Sequence, residues 1–195
     1  VGIKSNDVTL SWENLFSYNR KILDATSNRY FFVSNPVELN VLKVPKIFHP
    51  KLPMHPEKPQ QGFREYTVSP HGNEKAITFW ISKKDAEAMK TGDIIRLMEI
   101  FNVKIESKIG NSQTATFLSE SYEEVRKIKA PLIQWIPKNE EFPCQIVMPD
   151  ATIVEGFAES ACKKLKPDAI IQFERFGFTR IDEVNQKLVG YYAHK

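Results

Sequence analysis

The stretch Gly92–Lys108 (GDIIRLMEIFNVKIESK) constrains the fold more than any other. It carries the longest apolar–polar alternation in the chain. Ile95, Leu97, Phe101, Val103 and Ile105 fall on one face. Arg96, Met98, Asn102, Lys104 and Glu106 fall on the other. Side chains alternate along a strand, so the pattern predicts a half-buried strand of an antiparallel sheet. Arg96 is then expected to point outward from a rigid support, its guanidinium fork open to a base or a phosphate. Ala169–Asp182 (AIIQFERFGFTRID) reads the same way, with Ile171 and Phe173 on one face and Gln172 and Glu174 on the other. Phe176 and Phe178 take the opposite parity around Gly177, the signature of a β-bulge in a bent strand. Gln172 is thereby expected to present its amide outward. An amide has the donors and the acceptor that reading a base edge requires.

The rest of the chain extends this picture. Residues 9–24 switch to helical spacing, with Ser11 as N-cap and Trp12, Leu15, Phe16, Ile22 and Leu23 as an apolar stripe that needs a packing partner. Tyr30–Val33 and Val37–Val41 are predicted strands around a Ser34-Asn35-Pro36 turn. Residues 45–64 hold five of the twelve prolines and read as an ordered loop. Ala76–Ile81 is a strand, and Ser82 caps a short helix that follows it. Gly110-Asn111 signals a hairpin with a returning strand over Thr114–Ser119, and residues 120–130 allow one helical turn. Strand-sized segments separated by turn residues recur to the end of the chain. The expected fold is mainly β: two tandem antiparallel β-barrels preceded by a short helical connector.

Composition narrows the function. A net charge of +3 from 27 basic and 24 acidic residues permits a nucleic-acid partner without demanding one. Cys144 and Cys162 form no CxxC pair, which argues against a zinc site or a disulfide scaffold and for a reducing, cytoplasmic setting. His49 and His55, each before a proline, have no third ligand near them in sequence. The opening VGIKSNDVTL has no signal-peptide core, and no apolar run approaches membrane-spanning length, so neither export nor a membrane partner is expected. The chain starts without Met, as a fragment or excised domain would. Nucleophile-elbow, Walker, dinucleotide-binding and zincin motifs do not occur in it. A binding module fits better than a self-contained catalyst.

Seven stretches carry a resemblance: WENLFSYNR (Trp12–Arg20), NRYFFVSNPVEL (Asn28–Leu39), HPEKPQQGFR (His55–Arg64), GDIIRLMEIFN (Gly92–Asn102), IQWI (Ile133–Ile136), EGFAE (Glu155–Glu159) and IQFERFGFTRID (Ile171–Asp182). In this order they make the chain resemble the C-terminal, anticodon-binding part of archaeal-type glutamyl-tRNA synthetases and, more distantly, glutaminyl-tRNA synthetases. The resemblance implies a helical connector over residues 1–28 and a first barrel over 29–130. It implies a second barrel over 131–195, with its terminal strands as candidates to complete the first. It implies tRNA(Glu), and potentially tRNA(Gln), as partner, with DNA not a partner. It also implies ATP and Mg as requirements of the full enzyme, with no cofactor in this part. The HIGH-like and KMSKS-like motifs of the catalytic domain are absent from the sequence.

By position, Arg29 and Gln172 fall where glutaminyl relatives contact the middle anticodon base, a uridine, and Arg96 where a relative contacts the first. Met98 replaces a basic residue of the glutaminyl pattern. Asp85–Ala88 lacks the basic side chain used there for the third base, which weighs against the glutaminyl alternative. Lys104, Lys163, Lys164 and Lys166 are candidate phosphate contacts. The alternatives outside this class are a stand-alone β-barrel module for another RNA or a protein, and a small hydrolase.

Overall fold

The computed structural model describes residues 11–110 and 112–195. The opening stretch, the first two residues of the predicted helix (Thr9 and Leu10) and Asn111 of the predicted hairpin turn lie outside the described residues. Helix α1 (Trp12–Asp24) is capped by Ser11, whose hydroxyl accepts from the Asn14 N–H. Its stripe is only lightly covered: Phe16 stacks on His194 at 5.4 Å, while Trp12, Leu15, Tyr18 and Ile22 are exposed.

Sixteen strands follow among the described residues. They are β1 (Arg29–Tyr30), β2 (Phe32–Ser34), β3 (Pro36–Leu42), β4 (Lys51–Pro53), β5 (Phe63–Glu65), β6 (Ile77–Ser82), β7 (Ile94–Leu97) and β8 (Asn102–Ile109). Then come β9 (Ser112–Ser119), β10 (Leu132–Ile133), β11 (Ile136–Pro137), β12 (Glu141–Val147), β13 (Ile153–Glu159), β14 (Ile170–Phe173), β15 (Gly177–Val184) and β16 (Leu188–His194). Helices α2 (Lys83–Ala88) and α3 (Tyr122–Lys127) are single short turns.

Two curled seven-stranded sheets hold fourteen of the strands, in the orders β1-β14-β15-β16-β12-β13-β2 and β10-β7-β8-β9-β3-β6-β11. Position by position the two have the same pairing: parallel, antiparallel, antiparallel, parallel, antiparallel, antiparallel. The expected fold class is therefore present, with the difference that each sheet contains two parallel pairs. In each, the two edge strands are consecutive in the chain. One kinked segment, Arg29–Ser34 or Leu132–Pro137, thus serves both edges and closes the sheet like a barrel. Closure removes edges that would otherwise expose unpaired backbone groups.

Strand membership does not follow a cut between residues 130 and 131. Arg29–Ser34 belongs to the sheet of residues 141–194, and Leu132–Pro137 to the sheet of residues 36–119. The two cores meet through the same kinks. Tyr30 and Phe32 lie in one core, while Phe31, between them, packs in the other against Trp135 at 6.2 Å.

Both of the distinctive alternating stretches turn out to be hairpins. Residues 98–100 reverse the chain between β7 and β8, with Glu99 at φ 58°. Residues 174–176 reverse it between β14 and β15, with Arg175 at φ 62°. Gly177 closes a chain reversal and the phase does not change there: Phe178 pairs with Gln172 on the outer face, where His194 covers it, and the register shifts of β15 come later, at Phe178/Thr179 and Ile181/Glu183. The proline-rich loop also contains structure, the β4–β5 ribbon.

Candidate nucleic-acid interface

Arg29 and Gln172, 143 positions apart in the sequence, are register partners in the parallel pair β1–β14. Tyr30 and Phe173, the next pair, face the core, so Arg29 and Gln172 share the outer face. The Gln172 N–H donates to the Asn28 carbonyl at 3.0 Å, and the Glu174 N–H to the Tyr30 carbonyl at 3.0 Å. Arg29 Nη2 pairs with Asp24 Oδ1 at 3.1 Å, but its Nε is buried without a protein acceptor among the described residues. The rest of the half-buried Arg29 guanidinium reaches the surface beside the outward amide, an arrangement of donors and an acceptor suited to a ligand carbonyl.

The base of Arg29 is held by the proline-rich loop. His55 Nδ1 accepts from the Glu57 N–H at 3.2 Å, so its Nε2–H donates to the Asp24 carbonyl at 2.6 Å. Lys58 donates to the Ala25 carbonyl at the C-terminus of α1, where a cation is favoured. The loop then delivers Arg64 beneath the site. Arg64 Nη1 meets Glu159 Oε1 at 2.5 Å, and Nη2 meets Glu174 Oε1 at 3.3 Å. Glu159 also accepts from the Phe31 N–H at 3.2 Å and from the Tyr66 hydroxyl. Burial pushes the Glu174 carboxyl above its usual range, against the opposing pull of Arg64 and Arg29.

The turn after Gln172 is fixed from the other sheet. Arg175 forms a two-pronged ion pair with Asp85 of α2 at 2.9 and 2.7 Å, and Gln134 Nε2 donates to the Glu174 carbonyl at 2.8 Å. A cleft of about 250 Å³ opens beside it, lined by Ser82, Lys84, Asp85, Gln134, Glu174 and Arg175. Arg175 thus lies against the Asp85–Ala88 segment from 90 positions away, its guanidinium taken up by the Asp85 carboxylate.

Arg96 lies on the outer face of β7, opposite the core residues Ile95 and Leu97, but it is not open as predicted. It is 8% exposed. Its Nη1 donates to Asn102 Oδ1 at 2.9 Å and to the Glu120 carbonyl at 3.2 Å, and its guanidinium lies 5.4 Å from the centre of the Tyr122 ring. The residues around Ser121 fold over that face of the hairpin, and Asn102 is fully buried with it. Lys104 is exposed on β8, whereas Lys163, Lys164 and Lys166 lie in the segment that joins β13 to β14 of the other sheet. Lys163 lies over the Phe142 ring at 5.7 Å, and Lys164 borders a second cleft with Tyr30 and Arg64.

Sequence reasoning missed Arg64, Glu159, Asp85, Gln134 and Arg175. Arg64, Glu159, Gln134 and Arg175 all sit inside stretches that carry the family resemblance, which was the only available signal. Their partners lie 40 to 110 positions away.

With the Arg29–Gln172 edge and the shared two-sheet topology described, comparison with known proteins settles the class. Two models described as tRNA synthetases class I (E and Q), anti-codon binding domain, match residues 27–123 and 132–182. The chain belongs to this family. It is 40% identical over 198 residues to the glutamate–tRNA ligase of Pyrococcus abyssi and 39% identical over 199 residues to that of Pyrococcus furiosus. It is also 39% identical over 202 residues to that of Methanocaldococcus jannaschii. All of this chain is covered in each case, but only 33% of the relative, so the chain spans about a third of the length of these proteins.

Proposed function

We propose that this chain is the anticodon-binding region of a glutamate–tRNA ligase and grips the anticodon arm of tRNA(Glu). The observation that carries this reading is the register pairing of Arg29 with Gln172 on one outer face. A splayed uridine offers two carbonyl acceptors and one N–H. Arg29 donates to a carbonyl; Gln172 donates and accepts. RNA is read in this way at unstacked loop bases. Arg96 acts from within its pocket, its remaining donors and the exposed Tyr122 ring meeting the neighbouring base. Lys104, Lys163 and Lys164 add phosphate attraction that weakens with salt. The parent enzyme is cytoplasmic and joins glutamate to tRNA using ATP and Mg at a catalytic domain outside this chain. The region alone is inactive.

The test is binding of the full-length protein carrying this chain to tRNA(Glu) transcripts, unaltered or changed at the middle anticodon base, at two salt concentrations. Arg29→Ala and Gln172→Ala should each weaken binding to the unaltered transcript by about 1–3 kcal/mol, the scale of one base-reading contact. The loss should shrink on the altered transcript. Equal losses on both would remove the base-reading assignment. A tRNA(Gln) transcript, which shares the middle uridine, measures how far recognition extends beyond tRNA(Glu).

A further inference from the structure

The two sheets repeat one topology, and the two candidate readers occupy the same place in it. Gln172 pairs in parallel with Arg29 at the edge and antiparallel with Phe178 across its hairpin. Arg96 pairs in parallel with Leu132 and antiparallel with Asn102. The flanking backbone bonds match as well. Gln172 N–H to Asn28 corresponds to Arg96 N–H to Pro131, and Glu174 N–H to Tyr30 corresponds to Met98 N–H to Ile133. The turns correspond too, each with its middle residue at positive φ, Arg175 at 62° and Glu99 at 58°.

Glu174 and Met98 are therefore equivalent positions, each two residues beyond a reader. Their carbonyls are held by two adjacent residues of one segment. Gln134 Nε2 donates to the Glu174 carbonyl and Trp135 Nε1 to the Met98 carbonyl, both at 2.8 Å. Successive side chains of an extended segment point to opposite sides, so one dipeptide reaches both hairpins. Both residues are buried, and Trp135 is wedged among Phe31, Tyr66 and Phe79. Small misplacements of a reading group weaken recognition steeply, so a rigid link between two reading hairpins fixes their separation.

We propose that Gln134–Trp135 is a positioning bracket that sets the spacing of the two base-reading hairpins, so that two neighbouring bases of a single-stranded loop are read in register. Neither residue touches the RNA. The proposal rests on the anticodon-reading function above. It predicts that loss of either N–H blurs base discrimination at the hairpin it holds.

The experiment uses the full-length protein with three tRNA(Glu) transcripts: unaltered, changed at the middle anticodon base, and changed at the first. Gln134→Met keeps bulk and removes the donor. Trp135→Phe keeps a ring in the core and removes its N–H. Gln134→Met should lower discrimination at the middle base about tenfold and leave the first base nearly as in the wild type. Trp135→Phe should do the reverse. If Trp135→Phe misfolds by circular dichroism, Gln134→Met alone decides. Folded variants with wild-type discrimination at both bases overturn the bracket, and so does a uniform loss on all three transcripts, which marks a purely structural role. A wild type that does not distinguish the transcripts overturns base reading itself, and the bracket with it.

Discussion

Arg64 and Glu159 have side chains only 1% exposed, and bringing each charge out of water costs several kcal/mol before pairing offsets it. The offset here is complete enough to use every oxygen of Glu159, through Arg64, Tyr66 and the Phe31 N–H. Glu174 is the outlying member of this network, and its carboxyl is raised above 4.5 by burial, with Arg64 and Arg29 opposing. The folded state therefore keeps a proton that the unfolded chain has already released at the same pH. Unfolding releases it, so this contribution to stability falls as pH rises from 4.5 through the raised value. The thermal midpoint of Glu174→Gln, relative to wild type, should accordingly improve as pH rises through that window and level off above it. A difference that shrinks with rising pH would contradict the burial argument. At this scale alternation placed Gln172 on an outward face, and the family pattern alone singled out Arg29 as a candidate beside it. The sequence could not show Arg96 as buried, because the cover comes from residues 120–122 and the partner Asn102 lies across a turn.

The elements show why alternation was readable and chain reversal was not. In both hairpins the closing pair is four residues apart, Leu97 with Phe101 and Phe173 with Gly177. An even spacing keeps the inward face in phase, so Gly92–Lys108 alternates straight through its turn. The residues at positive φ are Glu99 and Arg175, neither of which carries the usual glycine or asparagine signal. Side-chain bonds from elsewhere hold the second turn in that conformation. The kinks in the closing segments were equally hidden. Tyr30–Val33 reads as one strand, yet Arg29–Ser34 divides between two sheet edges, as Leu132–Pro137 does. A glycine marks one such closure. A Cβ on Gly156 would lie 2.2 Å from the Val33 carbonyl oxygen and 2.9 Å from the Ser34 Cα. Both obstacles are backbone, so Gly156→Ala must push β13 away from β2. The expected cost is at the upper end of the ~1–3 kcal/mol typical of overpacking, measured as a lower urea midpoint. An unchanged midpoint would show that the closing strand is free to shift.

Across the whole molecule, the two cores are coupled by residues that cross between them. Phe31 leaves the sheet of its neighbours to fill the opposite core, beside Trp135. Phe31→Ala should cost about 3–5 kcal/mol, as for other buried aromatics. Hydrogen exchange is the informative measurement. Amides of both sheets should lose protection together, since the lost ring belongs to one core and its backbone to the edge of the other. Loss confined to one sheet would mean that the sheets open independently. The mainly β architecture was legible from strand-sized alternation and turn residues. The shared topology was not, because parallel pairs join segments such as Pro36–Leu42 and Ser112–Ser119 that have no local signal for each other.

The interlaced closure also limits how such a region can be exchanged between proteins. A piece ending near residue 130 would carry five strands of one sheet without either of its edges, and would keep the edge pair that the remaining piece needs. Two half-finished barrels, each missing its own fastening, are poor starting points for grafting. Transfer of anticodon preference from one ligase to another should succeed when the whole span from Arg29 to His194 moves as a single unit, and recombination should favour breakpoints outside it.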